Sequence, residues 1–141
     1  MAYLDTSVLG SYYCPETLSA AVNRALGSLD DAAISPLVEV ELCSLLALKV
    51  RQRELTRLAA QKVLAQFRQH VSAGYYELLE IGPREYDIAR TWISGFHTPL
   101  RTLDSLHLAC AFVHGTTLWT SDKHLAQSAK ILGVNFRFIA L

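Results

Sequence analysis

This 141-residue sequence has no excess of charge of either sign and only three cysteines. Lysine plus arginine number 13 and aspartate plus glutamate number 13, so the whole molecule has no net attraction for a polyanion or an anionic membrane. Any polyanion site must therefore be local. The three cysteines, Cys14, Cys43 and Cys110, are widely spaced without a CxxC pair, which argues against a disulfide framework and a zinc knuckle. We expect Cys43 and Cys110 in the core, and Cys14, beside Pro15, to be more exposed.

Long apolar runs are also absent. No basic leader precedes an apolar stretch in MAYLDTSVLG, and no run approaches the roughly 18 apolar residues of a membrane span. We therefore expect a soluble cytoplasmic protein with no membrane partner. The 51% hydrophobic content with 18% charged residues is typical of a compact globule, and we expect residues 1–141 to form a single domain.

The apolar segments that are present predict strands alternating with helices. Strand candidates lie at residues 2–5, 32–35, 75–81, 116–120 and 135–141. Helices are expected over residues 7–29, with a break near Cys14 and Pro15, and over residues 36–50, 54–71, 83–95, 103–114 and 123–132. Strands separated by helices indicate parallel pairing, so we expect an α/β fold with a central, mainly parallel sheet flanked by helices.

Four acidic residues interrupt segments that otherwise look like core: Asp5, Glu41, Asp104 and Asp122. An ionised carboxylate removed from water needs a partner, and several such acids indicate one shared cation. Carboxylate oxygens select hard metals such as Mg²⁺ or Mn²⁺. Asp5 and Asp122 each follow a strand candidate, and the carboxyl ends of parallel strands are where functional crevices lie.

The three aspartates also have ordinary structural explanations. Asp5 in LDTS and Asp122 in TSD are typical helix N-caps. Asp104 falls in the first turn of a predicted helix, where a negative charge complements the helix dipole. Taken singly, none of the three distinguishes a functional site from a cap.

Glu41 is harder to explain structurally, because Leu37 and Leu45 lie four residues before and after it and place it in an apolar stripe. Glu39 lies about 200° away on the same predicted helix. Helix geometry alone does not choose between the two glutamates, since both faces carry leucines.

Taken together, the four acids and their contexts resemble the PIN-domain ribonuclease family, particularly the VapC-like toxins of bacterial and archaeal toxin–antitoxin pairs. LDTSVL resembles the first family motif, and ISPLVEVELCSLLA resembles the second, in which the acid precedes leucine and therefore corresponds to Glu41 rather than Glu39. LRTLDSLHLACA is similar to the third motif, and LWTSDKHLAQSAKILGV to the fourth, including Thr120 two residues before the acid. Four motifs in order across residues 3–134 make the resemblance specific.

The resemblance implies a PIN-like three-layer sandwich and an endoribonuclease that hydrolyses RNA with Mg²⁺, or with Mn²⁺. It implies a catalytic metal site formed by Asp5, Glu41, Asp104 and Asp122. It implies that ligands or bound water are supported by Thr6, Ser7 and Thr120. A cognate antitoxin and a homodimer are the implied partners. His107 and His124 stay outside the expected catalytic set, because carboxylates carry the chemistry of the family.

Other functions fit the sequence less well or stay open. An aspartyl-nucleophile phosphatase would have a second Asp two residues after the first, whereas position 7 is Ser. A PIN nuclease of RNA processing and a non-catalytic PIN-like binding module remain alternatives to a toxin. An acidic pocket repels RNA, so basic residues must hold the backbone; Arg84, Arg101 and Lys123 lie nearest the acidic motifs in sequence.

Overall fold

The structure is a computed structural model, and it describes residues 1–14 and 19–140. In these residues the strands are β1 (Ala2–Leu4), β2 (Ala32–Ile34), β3 (Glu77–Leu78), β4 (Thr117–Thr120) and β5 (Phe136–Phe138). The helices are α1 (Thr6–Tyr13), α2 (Ser19–Gly27), α3 (Pro36–Arg51), α4 (Arg57–Ser72), α5 (Pro83–Ser94), α6 (Thr102–Val113) and α7 (Lys123–Leu132).

The strands form one sheet in the order β3-β2-β1-β4-β5, and each neighbouring pair runs parallel. Helices flank this sheet, so the expected α/β fold with a central parallel sheet is confirmed. The central strand β1 has β2 on one side and β4 on the other. Chain connections leave β1 and β4 in opposite directions across the sheet, which opens a crevice beyond their carboxyl ends.

The core surrounds the central strand. Tyr3 and Leu4 of β1 are fully buried, and they belong to one apolar cluster with Leu42 of α3 and Leu108 of α6. Burial on both faces is expected for a parallel strand covered by helices. Within the described ranges, no helix is both long enough and apolar enough to cross a membrane.

Local sequence signals explain where several helices begin and end. Pro36 occupies the first turn of α3 after Ser35, as the sequence predicts. The Thr56 side chain caps α4 by accepting a hydrogen bond from the Ala59 amide at 3.1 Å, so this helix begins at Arg57 rather than near residue 54. At the end of α7, Gly133 adopts a left-handed conformation with φ of 71°, which stops the helix.

The expected exposure of Cys14 is wrong. The residue is 4% exposed and belongs to the main apolar cluster, and its amide closes α1 by donating to the Gly10 carbonyl at 2.8 Å. Cys110 is buried and Cys43 is half-buried. Pro15, where the break in the first long helix was expected, lies outside the described residues.

The strand expected over residues 75–81 is much shorter in the structure. Glu77 and Leu78 pair with β2, while Tyr75 and Tyr76 turn toward helices. The Tyr76 hydroxyl hydrogen-bonds with the Tyr13 hydroxyl at 2.6 Å, and Tyr75 stacks on a histidine of α4. At the other edge of the sheet, residues 136–138 form β5, and residue 141 of the expected last strand lies outside the described residues.

Helices α1 and α3 approach each other closely at Gly10. A β-carbon added to Gly10 would lie 2.8 Å from Leu45 Cδ2. The absence of a side chain at this position therefore sets the distance between the two helices.

Candidate active site

Asp5 leaves the central strand at its carboxyl end and begins α1. Its Oδ1 accepts hydrogen bonds from Ser7 Oγ at 2.6 Å and from the Val8 amide at 3.0 Å, and the residue is 3% exposed. Burial raises the pKa of Asp5, whereas hydrogen bonds from Ser7 and Thr120 and the proximity of His107 oppose the rise. Asp5 is therefore both the N-cap of α1 and an acid held at the carboxyl end of the central strand.

Asp122 occupies the equivalent place after β4 and begins α7. Its Oδ1 accepts hydrogen bonds from the amides of His124 at 2.8 Å and Leu125 at 3.2 Å. Since β4 lies beside β1 and runs parallel to it, Asp122 and Asp5 lie at the same end of the sheet, beyond the carboxyl ends of these two strands. The N-cap explanation and the site explanation thus apply to the same two aspartates.

Glu41 reaches the same end of the sheet from α3. Its Oε1 accepts a hydrogen bond from Thr6 Oγ1 at 2.7 Å and is also bonded to His107 Nε2. Burial acts to raise the pKa of Glu41, but the bond to His107, the proximity of that ring and the Thr6 hydroxyl outweigh it and lower the pKa. Glu39 instead pairs with Arg68 at 3.0 Å on the exposed side of the helix.

Asp104 lies in the first turn of α6 and is half-buried. It lines a cleft of ≈ 470 Å³ with Asp122, Arg101, Pro99 and His124. Burial and then repulsion from Asp122 raise the pKa of Asp104, with smaller contributions of the same sign from the other two acids. The four predicted acids, at the starts of α1 and α7 and on α3 and α6, thus lie close enough together for the other three to affect the pKa of Asp104.

The three predicted supporting residues contact the acids or their backbone. Ser7 Oγ donates to Asp5 and accepts from the Ser121 amide at 2.9 Å. Thr120 Oγ1 accepts from the Asp122 amide at 3.0 Å and lies 3.4 Å from Ser7 Oγ. Thr6 holds Glu41, as described above. Hydroxyl groups therefore connect the start of α1 with the start of α7 and with α3.

The donor set fits a hard divalent cation that keeps much of its water. Within residues 1–14 and 19–140, no three Asp, Glu, His or Cys side chains are close enough together to hold a metal ion directly. Protein donors engage only one carboxylate oxygen of Glu41 and of Asp122, and Asp104 receives no hydrogen bond from the described residues. Mg²⁺ usually takes one or two carboxylates and binds further acids through water, which matches free oxygens spread over several acids.

His107 was left outside the expected catalytic set, yet the structure places it directly against Glu41. It is 2% exposed, and its Nδ1 lies 2.7 Å from the buried Tyr3 hydroxyl. Two spacings in the sequence indicate that His107 and Tyr3 lie near the acids. His107 follows Asp104 by three residues, which puts both on one face of α6, and Tyr3 precedes Asp5 by two residues along an extended strand.

His124, the other histidine left outside the set, lines the cleft beside Asp104 and Asp122. Its backbone amide, rather than its ring, provides its hydrogen bond to Asp122. Arg101, the residue before α6, also lines the cleft. In the described part of the chain, Arg101 forms no ion pair with a carboxylate.

Comparisons with known proteins agree with the fold of this chain. The family model of the PIN domain matches residues 2–131. Among curated proteins, none matches the chain.

Solved structures match over almost the whole length of the chain. VapBC2 from Rickettsia felis, bound to a promoter DNA fragment, has a TM-score of 0.71 at 16% identity and covers 99% of this chain and 100% of its own. VapC20 from Mycobacterium tuberculosis, a toxin that cleaves the sarcin-ricin loop, has a TM-score of 0.70 at 16% identity, with coverage of 91% and 95%. A toxin–antitoxin complex from Klebsiella pneumoniae has a TM-score of 0.63 at 18% identity, with coverage of 89% and 91%. At these identities the likeness establishes the fold.

Proposed function

Because this chain belongs to the PIN-domain family, we propose that it is a metal-dependent endoribonuclease and the toxin of a type II toxin–antitoxin pair. One observation carries the proposal: acids from four separate helix starts or helix faces gather at the crevice of the parallel sheet, where burial and then the charges of the other three acids raise the pKa of Asp104 against the opposing effect of His107. A stable fold without function has no need to gather like charges, since their repulsion opposes folding.

The residues that would hold the ion are Asp5, Glu41, Asp104 and Asp122, directly or through water. When bound, Mg²⁺ or Mn²⁺ supplies positive charge against the phosphate and makes water a better nucleophile. Asp104 is suited to orient the attacking water, because described protein donors leave both of its oxygens free. Thr6, Ser7 and Thr120 fix the other acids.

Arg101 is suited to contact the phosphate of the bound strand. It stands in the same cleft as Asp104 and Asp122 and is exposed. A guanidinium presents a fork of donors to phosphate oxygens, and it offsets the repulsion that an acidic cleft exerts on RNA. Arg101 would thus hold the RNA backbone in the cleft that Asp104 and Asp122 also line.

Partner binding is the second part of the proposal. Val40 and Leu103 are 66% and 47% exposed, and with Leu37 they line a groove of ≈ 420 Å³ that also contains Glu41. Exposed apolar residues beside an acidic site suit a protein that covers it. An antitoxin in this place would block access of RNA. A homodimer, a cytoplasmic location and a single PIN domain over residues 1–141 complete the proposal.

Cleavage of a mixed cellular RNA pool by the purified protein tests the nuclease. We expect cuts with Mg²⁺ or Mn²⁺, none with EDTA, and products with 5′-phosphate and 3′-hydroxyl ends. Glu41→Gln should lower the cleavage rate by about 10²-fold or more, the usual effect of removing one stabilising group from an active site. Glu39→Gln is the matched control, because Glu39 lies on the same helix and pairs with Arg68 outside the site.

Two outcomes would overturn the nuclease proposal. One is cleavage by the purified protein that persists in EDTA and in the folded Glu41→Gln variant, which would show that the activity depends neither on a divalent ion nor on Glu41. The other is no cleavage with either metal by antitoxin-free protein, which would favour the non-catalytic binding module. Circular dichroism of each variant shows that its fold is intact.

A further inference from the structure

A chain of hydrogen bonds runs behind the candidate site from the start of α3 to Glu41. Ser35 Oγ lies 2.7 Å from the Tyr3 hydroxyl, and the same hydroxyl lies 2.7 Å from His107 Nδ1. His107 Nε2 is bonded to Glu41 Oε1, to which Thr6 Oγ1 also donates. The members come from β1, from α1, α3 and α6, and from the residue that precedes α3, so the chain connects the sheet with three helices.

Burial keeps solvent away from the inner links of this chain of hydrogen bonds, Ser35–Tyr3 and Tyr3–His107. Ser35 and Tyr3 are 0% exposed and His107 is 2% exposed. Water therefore cannot replace a missing partner, and a buried polar group without one is destabilising. Ser35 occupies the N-cap position of α3, but its side chain makes no capping hydrogen bond. Its hydroxyl is bonded to Tyr3 instead.

The chemistry of the members gives the chain a direction. An ionised Glu41 can only accept, so the hydrogen between it and His107 belongs to Nε2. When the imidazole is neutral, its lone pair is therefore on Nδ1 and accepts a hydrogen bond from the Tyr3 hydroxyl. The oxygen of Tyr3 in turn accepts from Ser35. Tyr3 thus selects the tautomer of His107 that can bond to Glu41.

We infer that Tyr3 and His107 are positioning residues that hold the Glu41 carboxylate with Oε1 turned into the protein and Oε2 left for a divalent cation. This inference rests on the proposed function and deepens it. His107 does not touch the ion or the RNA; it acts through Glu41. Groups that orient a ligand in this way typically change metal affinity by about 10- to 100-fold when they are removed.

Tyr3→Phe is the mildest test, because it removes one oxygen and keeps the buried ring. Without its donor, His107 is free to adopt the other tautomer, which presents a lone pair to Glu41. We expect the Kd for Mn²⁺, measured by calorimetry without RNA, to rise about tenfold. Tyr13→Phe is the matched control, since the Tyr13 hydroxyl also lies 2.7 Å from a histidine Nδ1, that of His70, away from the acids. Its Mn²⁺ affinity should stay at the wild-type value.

His107 itself separates positioning from packing. A glutamine side chain carries an amide nitrogen near the place of Nε2, so His107→Gln keeps a donor for Glu41, whereas His107→Leu keeps bulk without a donor. We expect His107→Gln to retain most of the Mn²⁺ affinity and His107→Leu to lose about 100-fold. Equal losses in the two variants would mean that the ring only fills space, and the inference would fall.

Nuclear magnetic resonance of the metal-free protein tests the chain of hydrogen bonds separately. With ¹⁵N-labelled histidine, the wild type should show the Nε2–H tautomer at position 107, and Tyr3→Phe should shift it toward Nδ1–H. An Nδ1–H tautomer in the wild type would overturn the inference. If the wild type bound no Mn²⁺, the proposed function would fail, while the tautomer would still decide the arrangement of Tyr3 and His107. Normal Mn²⁺ binding in Tyr3→Phe would overturn the inference alone.

Discussion

At the scale of single residues, the four acids are held in two different ways. Donors from the protein hold Asp5, Glu41 and Asp122, whereas Asp104 receives none from the described residues. Burial and the neighbouring acids raise the pKa of Asp104. The charge of Asp104 therefore opposes folding when no cation is bound.

Neutralising Asp104 should stabilise the metal-free protein. The folded-state pKa values of Asp104 and Asp5 are raised, so the stability linked to them is fully present below the unfolded-state value of about 3.9 and is lost as pH rises through the folded-state values. We expect Asp104→Asn to raise the free energy of unfolding at neutral pH by roughly 0.5–2 kcal/mol while abolishing cleavage. Urea unfolding in EDTA, from about pH 4 to about pH 8, measures both the gain and its pH dependence. A less stable variant at neutral pH would contradict the prediction.

Arg101 should affect RNA binding rather than the chemical step. We expect Arg101→Gln to raise the KM for RNA about tenfold, with a smaller change in kcat, because a phosphate contact is lost from the cleft. The dependence of RNA affinity on salt should also fall by about 0.7 in logarithmic slope. Arg84→Gln, which removes an exposed arginine of α5 that does not line the cleft, serves as the control. An unchanged salt slope would show that Arg101 does not contact phosphate.

Single residues also show where sequence reasoning ended. The two glutamates of α3 were equivalent on helix geometry, and only the motif favoured Glu41; the structure turns Glu41 toward His107 and Glu39 toward Arg68. His107 had a helical spacing that matched Asp104, but its partner Tyr3 is 104 residues away. Such a contact depends on the packing of β1 against α6, which the sequence pattern does not specify.

At the scale of elements, the contact between α1 and α3 sets the geometry of the site. Helix α1 begins at Asp5 and carries Thr6, and α3 carries Glu41, so the Thr6–Glu41 hydrogen bond bridges the two helices. Gly10 lies one turn farther along α1, where Leu45 leaves no room for a β-carbon. Any side chain at position 10 must push the helices apart or displace Leu45.

Gly10→Val should therefore destabilise the protein and disturb the site together. We expect a loss of about 1–3 kcal/mol in the free energy of unfolding, as for other overpacked contacts, and weaker Mn²⁺ binding as Thr6 moves away from Glu41. Gly27→Ala is the control, because a β-carbon there meets nothing within 4 Å; it should add about 0.4–1 kcal/mol. Urea unfolding and calorimetry measure the two effects. Full stability in Gly10→Val would show that Leu45 simply moves aside.

Most elements were predictable because their signals are local. Capping residues, glycines and prolines marked the helices within a few residues, and the alternation of strands with helices predicted the parallel sheet. The length of β3 was not predictable in this way. Tyrosine is common in strands, but the hydroxyl of Tyr76 is bonded to that of Tyr13, 63 residues earlier in the chain. A tertiary contact overrode the local preference there.

At the scale of the whole molecule, the proposed metal site would couple cation binding to folding. A ligand that binds only the folded state stabilises it in proportion to the logarithm of its concentration, by about 2.7 kcal/mol at 100 times its Kd. We expect Mg²⁺ or Mn²⁺ to raise the melting temperature by several degrees relative to EDTA. The same ions should give little shift in Asp104→Asn. Equal melting temperatures with and without divalent ions in the wild type would contradict a metal site.

The sheet order has a consequence for the synthesis of the protein. Strand β1 pairs Tyr3 with Leu118 and Leu4 with Trp119, so the central strand waits for β4 to be made. Asp5 is therefore translated long before Asp122, its neighbour at the site. A nascent chain has no complete acidic site until Asp122 has been added. If the protein cuts RNA, a nascent chain is unable to cleave the message from which it is being translated before the ribosome has passed residue 122.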